Sequence, residues 1–186
     1  MMPSKRRMVA IVSVSLCFGA MMSIIKGNDA GLRDAIGNIS APWLLLPFMA
    51  SVYAKEYQPV HAALTGFLAS ICALMGFYVA NSFVLDLGPH PWLVDLALTL
   101  PGMRFWSLLS VFSGPCFGLL GAWYVRRRAL TPALLTALLL VFEPFTWKIY
   151  DFGDFRSYPV LSLTETTVGL VACAVLVIRF KLSQRR

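Results

Sequence analysis

Residues Val60–Val84 read VHAALTGFLASICALMGFYVANSFV, and these 25 residues include no Asp, Glu, Lys or Arg. An α-helix of about 20 apolar residues spans the hydrocarbon core of a bilayer, because each residue adds about 1.5 Å. This stretch is therefore long enough and apolar enough to cross a membrane. The same holds for five other segments, and the six predicted spans are residues 8–25, 36–54, 60–84, 105–125, 131–149 and 160–180.

The composition leaves almost no room for a soluble domain. Of the 186 residues, 58% are hydrophobic and 13% are charged, and the mean hydropathy is +0.71, whereas soluble domains carry about 25% charged residues. We therefore predict an all-α polytopic membrane protein, in which residues 1–186 form one domain of six transmembrane helices in a single bundle. The second span is the weakest, because Pro42 and Pro47 interrupt it, and the sequence leaves open whether it is continuous or broken there.

The distribution of Lys and Arg predicts how the chain is oriented. With the N-terminus in the cytoplasm, 11 of the 16 basic residues fall on the inner side, as the positive-inside rule expects. The inner eleven are Lys5, Arg6, Arg7, Lys55, Arg126, Arg127, Arg128, Arg179, Lys181, Arg185 and Arg186. The outer five are Lys26, Arg33, Arg104, Lys148 and Arg156. We therefore expect a multi-pass protein of the cell inner (plasma) membrane with both termini cytoplasmic.

The positions of the basic residues and the length of the first apolar run argue against two other interpretations, a nucleic-acid-binding protein and a cleaved signal peptide. Because the basic residues stand at span ends, the net charge of +7 does not indicate a nucleic-acid partner. The N-terminal apolar run is longer than the core of a secretory signal and lacks a clear cleavage site, so we expect a retained span.

Small residues predict how the helices pack. Gly114, Gly118 and Gly121 form one small-residue stripe on span four, and Gly66 with Ser70 does the same on span three. Small side chains let helix backbones approach closely in a membrane. We therefore expect span four to be central to the bundle. The apolar residues 92–100, before this span, predict a short helix in the membrane interface, which is either a simple anchor or a lid over an outer cavity.

Ionisable residues inside spans are costly and therefore indicate functional sites. Glu143 lies about 9 Å below the outer end of span five and precedes Pro144, which loosens the helix. It is interpreted either as a ligand-binding carboxylate or as one member of an ion pair with Lys148 or Arg104. Glu165 lies at a similar depth in span six, where a capping box with Ser162 is the alternative.

Three further polar residues fall in the same layer as the two glutamates. Asn38 begins span two, and Tyr78 and Asn81 lie near the outer end of span three. We predict that Glu143, Glu165 and these three residues form a ligand-binding site. No nucleophile–base arrangement, ATP-binding loop or metal-ligand spacing occurs in the sequence, so we expect no catalytic residue, no metal and no cofactor.

Two functional hypotheses from different classes remain open. The first is an integral membrane protein that binds or transports a small solute through an outward-facing polar pocket. The second is an accessory or scaffold protein that packs against other membrane proteins through its Gly-rich faces and transports nothing. The expected partners are the lipid bilayer, a small-molecule solute, and another membrane protein or a second copy of the chain. A third class, a membrane-embedded enzyme, would need an acid–base or metal constellation, and the sequence does not supply one.

Several short motifs carry a resemblance to a known group. They are residues 37–44 (GNISAPWL), 76–78 (GFY), 113–118 (SGPCFG) and 121–123 (GAW), followed by three arginines at 126–128. In this order they resemble an uncharacterised family of small six-span membrane proteins from actinobacteria and other bacteria. The size, the span count and the outer polar groups are also similar to the substrate-capture subunits of energy-coupling-factor transporters. That second resemblance implies an outward-facing pocket and an ATPase-driven partner.

Overall fold

A computed structural model of the protein describes residues 4–27, 31–55, 57–84, 91–150 and 158–184, with the backbone alone at 147–150 and 183–184. The regular elements of these residues are all α-helices. In chain order they are α1 Lys5–Lys26, α2 Leu32–Gly37, α3 Ala41–Ala54, α4 Pro59–Val84, α5 Trp92–Arg127, α6 Leu130–Tyr150 and α7 Pro159–Gln184.

Five helical stretches are long and apolar enough to cross a membrane. Four of them are the single helices α1, α4, α5 and α7, and the fifth is the pair formed by α2 and α3. The sixth, α6, has 21 residues and a shorter apolar part, Leu130–Thr146. At about 1.5 Å per residue it is about 31 Å long, which matches the hydrocarbon core. Large apolar side chains such as Phe112, Val160 and Leu163 are exposed on the outside of the bundle, the surface that faces lipid in a bilayer. The predicted all-α polytopic architecture is confirmed.

The helices alternate in direction, so the bundle has two ends. The helices α1, α4 and α6 end on one side, which we call the Lys26 end. The helices α3 and α5 end on the opposite side, which we call the Arg126 end. At the Arg126 end, the guanidinium of Arg7 donates to the carbonyl oxygen of Ala54 at 3.2 Å and joins the start of α1 to the end of α3.

The predicted second span is broken near its beginning. Asn38, Ile39 and Ser40 separate α2 from α3, so neither Pro42 nor Pro47 marks the break. Pro42 stands in the first turn of α3, where proline fits because its missing N–H has no acceptor in a helix. Pro47 lies inside α3 and is buried. With 14 residues, α3 is about 21 Å long and begins within the bundle rather than at its Lys26 end.

The helix that contains the predicted fourth span begins earlier in the chain than the sequence analysis predicted. Residues 92–100 do not form a separate interfacial helix, because α5 runs without interruption from Trp92 through Pro101 to Arg127. Its 36 residues are about 54 Å long, well over the thickness of the hydrocarbon core. The residues expected as an anchor or lid are therefore a rigid extension of a membrane helix.

Glycines make the closest helix contacts. A Cβ on Gly118 would stand against the backbone of Ala62 and Gly66, and one on Gly121 against the Phe48 carbonyl oxygen. The predicted small-residue stripe of α5 thus packs on α4 and α3. The central helix is nevertheless α4, which packs against α1, α3 and α5 and is buried along most of its length. A second glycine crossing, at Gly19 of α1 against Ala73 of α4, went unpredicted.

Candidate functional site

A cavity of about 610 Å³ lies toward the Lys26 end, between α1, the broken α2–α3 span, α4 and α5. Its size falls within the range of about 300–1,000 Å³ that is usual for small-ligand pockets. The close glycine contacts hold α3 and α5 together nearer the Arg126 end. Because α3 begins within the bundle, the space beside its first turn stays open. The cavity is thus a consequence of the broken span.

Aromatic rings form one wall of this cavity. Trp43 of α3 packs edge-on against Phe77 of α4 with ring centroids 5.6 Å apart, and Phe77 packs against Tyr78 at 5.3 Å. All three residues line the cavity, and Trp106 of α5 faces them across it. Edge-to-face contacts hold such rings in fixed orientations. The wall therefore offers a preformed apolar surface of ring faces and ring edges to a ligand.

A polar cluster stands where the cavity meets the Lys26 end. The ammonium of Lys26 lies 3.4 Å from the Asp34 carboxylate and donates to the side-chain oxygen of Asn38 at 3.2 Å. Asn38 in turn donates its amide to Asp34 at 2.9 Å. Lys26 and Asn38 both line the cavity. The charges of this cluster cancel, so the mouth of the cavity is polar without a net charge.

Hydrogen-bond donors of three large side chains at the cavity wall have no acceptor within the described part of the chain. Asn81 accepts a hydrogen bond from the Ser23 hydroxyl at 3.4 Å, which occupies its oxygen and leaves its NH₂ group open. No bond joins the Tyr78 hydroxyl or the Trp43 indole N–H to another described residue. All three side chains line the cavity. Polar groups in such places usually find partners, so the cavity presents hydrogen-bonding capacity that the protein itself does not use.

Glu143 occupies the start of the broken helix instead of this cavity. It is 8% exposed, and its two carboxylate oxygens accept the backbone N–H groups of Ser40 and Ala41, the second at 2.7 Å. A helix that begins inside a membrane leaves its first N–H groups without water, so they need acceptors from the protein. A carboxylate at this position also complements the positive end of the helix dipole. Glu143 is therefore the cap of α3.

Lys148 and Arg104 were the two cations predicted as ion-pair partners of Glu143. The side chain of Lys148 lies outside the described residues. Arg104 is exposed and makes no ion pair with any described acid. The expected ion pair with Arg104 is therefore wrong, because the backbone of α3 supplies the donors instead.

Glu165 lies beside Glu143 at the crossing of α6 and α7. It is 5% exposed, and neither of its oxygens has a hydrogen-bond donor among the residues described. The capping box expected with Ser162 is not formed, because α7 begins at Pro159 and both residues lie within it. Among the described residues, the ionisable group that acts on Glu165 is Glu143.

The structure thus divides the predicted site residues into two groups. Asn38, Tyr78 and Asn81 come together at the cavity, whereas Glu143 and Glu165 form a separate pair of carboxyl groups behind α3. Sequence analysis did not assign Ser40 a role, although its backbone N–H binds Glu143 and the residue also lines the cavity. Because this contact uses only the backbone N–H, the identity of the residue could not predict it.

The apolar bundle, its lipid-facing side chains and its internal cavity define a polytopic α-helical integral membrane protein. The chain belongs to DUF6518, a family of unknown function, whose model matches residues 2–184. The predicted resemblance to an uncharacterised family is confirmed to that extent. No curated protein and no solved structure matches the chain. The resemblance to energy-coupling-factor capture subunits and the bacterial origin remain predictions.

Proposed function

We propose that this membrane protein binds a small solute in the cavity between α1, α3, α4 and α5. The observation that carries the proposal is the group of unused donors, among them those of Trp43, Tyr78 and Asn81, on residues that line one cavity of about 610 Å³. Pockets that bind small molecules are mostly apolar and contain a few convergent polar groups that fix orientation. The cavity has this composition.

The distribution of side chains suggests the chemistry of the solute. The polar residues Lys26, Asn38 and Asn81 gather toward the Lys26 end. Farther along α5, the apolar Leu109 and Phe112 line the cavity together with the small hydroxyl side chains of Ser110 and Ser113. The unused groups are donors, so the polar part of the ligand should carry hydrogen-bond acceptors such as carbonyl or ether oxygens. Trp43 and Phe77 suit a flat or branched apolar body. We therefore propose an uncharged amphipathic solute.

Exposed residues in the lining indicate the route by which this solute arrives. Trp106, Leu109 and Phe112 line the cavity and also have 45%, 44% and 66% of their surface exposed. In a bilayer such residues face acyl chains. We propose that the cavity communicates with the outer part of the bilayer as well as with the aqueous phase.

The scaffold hypothesis has less support. It relied on Gly-rich faces that could pack against other membrane proteins. Gly66, Gly114, Gly118 and Gly121 are all engaged within the bundle, where added side chains would collide with neighbouring backbone. These faces are therefore not available to a partner.

Binding can be tested through Asn81, because its amide is central to the proposal. We expect Asn81→Leu, which keeps the branched shape of the side chain and removes the NH₂ group, to weaken solute retention about tenfold, the effect of losing one well-placed hydrogen bond. The measurement is mass spectrometry of small molecules extracted from gently purified protein. Ser82→Ala is the matched control, because the Ser82 hydroxyl bonds to Val79 of its own helix at 2.7 Å. Equal retention by both variants, or no compound enriched with the wild type, would refute the proposal.

The orientation that places this cavity toward the outside is also a proposal. It rests on the 11-to-5 division of Lys and Arg between the two sides. In a variant without native cysteines, we expect Gln184→Cys to resist a membrane-impermeant maleimide in intact cells and to react after permeabilisation. Arg104→Cys should react in intact cells. Labelling of position 184 from outside would reverse the orientation and turn the cavity toward the cytoplasm.

A further inference from the structure

Glu165 is a buried acid that the proposed solute cavity does not use. It lies on α7, is 5% exposed, and has no hydrogen-bond donor for either oxygen within the described residues. An ionised carboxylate in such a place has lost its water and gained neither a cation nor an N–H group. The free-energy cost of that state is too large for a stable bundle.

The packing of α6 against α7 explains what Glu165 meets. At Gly169 the two backbones are so close that a Cβ would collide with Leu140 and Val141. The helices are antiparallel, so moving one turn toward the Lys26 end brings Glu165 opposite Glu143. The crossing therefore places the two carboxyl groups side by side, where they interact. Ionised carboxylates contain only acceptors, so this contact is favourable only when one of them carries a hydrogen.

We propose that Glu143 and Glu165 form a proton-binding site in which one proton bridges their two carboxyl groups. Glu143 is the ionised member, because both of its oxygens accept backbone N–H groups at the start of α3. Glu165 carries the hydrogen and donates it to Glu143. This assignment gives the buried Glu165 a hydrogen-bond partner and avoids two adjacent negative charges.

Among the residues that the structure describes, no other charged group replaces the proton. On α7 itself, Arg179 and Lys181 follow Glu165 by 14 and 16 residues, which is about 21 and 24 Å along the helix. The first turn of α3 presents backbone N–H groups, and these bind Glu143. On α5, Asp95 and Arg104 are the ionisable groups toward the same end, and neither forms an ion pair with a described residue. Within the described part of the chain, Glu143 is the charge that acts on Glu165.

Proton binding is linked to the solute cavity through Ser40. Its backbone N–H binds Glu143, and the residue itself lines the cavity. Loss of the bridging proton would set two negative charges against each other, and the repulsion would displace Glu143 from the start of α3. The shape of the cavity would change with it. If protonation raises the affinity for the solute by a given factor, binding of the solute raises the proton affinity of the Glu143–Glu165 pair by the same factor. This link rests on the proposed function, whereas the proton site does not.

Infrared spectroscopy tests the proton site directly, because a protonated carboxylic acid and a carboxylate absorb at different frequencies. We expect the wild type at neutral pH to show a carboxylic-acid band that Glu165→Gln abolishes. Asp95→Asn is the matched control, since Asp95 is the other described acid that is buried and has an oxygen without a partner. A band that survives Asp95→Asn and is lost in Glu165→Gln supports the proposal. Absence of the band from the wild type overturns it without any variant.

The dependence of thermal stability on pH gives a second measurement. Above about pH 5 an exposed Glu has lost its proton, so the folded state would hold one proton more than the unfolded state. Stability should therefore fall as the pH rises, with the unfolding equilibrium constant changing by up to about tenfold per pH unit. Glu165→Gln, which imitates the protonated acid, should remove that slope. An unchanged slope, or a wild type that sodium stabilises while both carboxyl groups are ionised, would overturn the proposal in favour of a metal-cation site.

Failure of the solute site and failure of the proton site can be distinguished. If no solute is retained by the wild type but the Glu165 infrared band is present, the proton site stands and the proposed function does not. If a solute is retained with equal strength at acidic and alkaline pH while the band disappears between them, the link through Ser40 is refuted.

Discussion

Glu143→Leu is expected to be the most destabilising single substitution near the cavity. It would leave the backbone N–H groups of Ser40 and Ala41 buried without acceptors, and each such group costs about 1–3 kcal/mol. The predicted loss is therefore about 2–6 kcal/mol. The loss should appear as a much lower unfolding temperature in detergent or nanodiscs.

Two substitutions distinguish the capping role of Glu143 from a general effect of the position. Glu143→Gln retains one carbonyl oxygen and should have an intermediate unfolding temperature. Phe142→Leu changes a neighbouring side chain that is 57% exposed and should have little effect. A Glu143→Leu protein as stable as the wild type would show that α3 does not need this cap.

Gly118→Leu is expected to prevent correct assembly of the bundle. The new side chain would collide with the backbone of α4 at Ala62 and Gly66, and a backbone cannot move aside as a flexible side chain can. Overpacking of ordinary cores costs about 1–3 kcal/mol, and a clash with a central helix should exceed that. The measurement is the yield of monodisperse protein in size-exclusion chromatography, together with its unfolding temperature.

Gly102→Leu is the matched control on the same helix. Gly102 is exposed, and a Cβ there would lie 3.5 Å from the Tyr78 hydroxyl, which is an ordinary contact. Both substitutions replace Gly by Leu within α5, so both have the same gain in helix propensity. Wild-type yield from Gly118→Leu, or equal losses from the two variants, would mean that the small-residue stripe is not the packing surface of α5.

The two acids show how a buried polar group can have a structural and a chemical role together. Glu143 holds the first turn of α3, and that turn carries Ser40 and Trp43 into the cavity wall. Glu165 does not touch the cavity, yet it contacts the residue that positions one wall of it. Interrupted membrane helices in transporters likewise place their free helix ends near a binding site. Here the free end of α3 is occupied by a side chain of the protein.

The sequence by itself determined the membrane architecture, because an uninterrupted apolar stretch such as Val60–Val84 can satisfy its backbone hydrogen bonds in a bilayer only as a helix. It also determined the packing face of α5, since Gly114 and Gly118 recur at helical spacing and small residues favour close approach. The common depth of Asn38, Tyr78 and Asn81 followed from the span boundaries alone.

Only the tertiary structure decided which polar residues share a site. A helix that is apolar all round carries no information about its rotation, so equal depth could not tell whether Glu143 faces Asn81 or Glu165. The break before Pro42 was hidden for a related reason: it is stabilised by a carboxylate that lies 102 residues farther along the chain from Ala41.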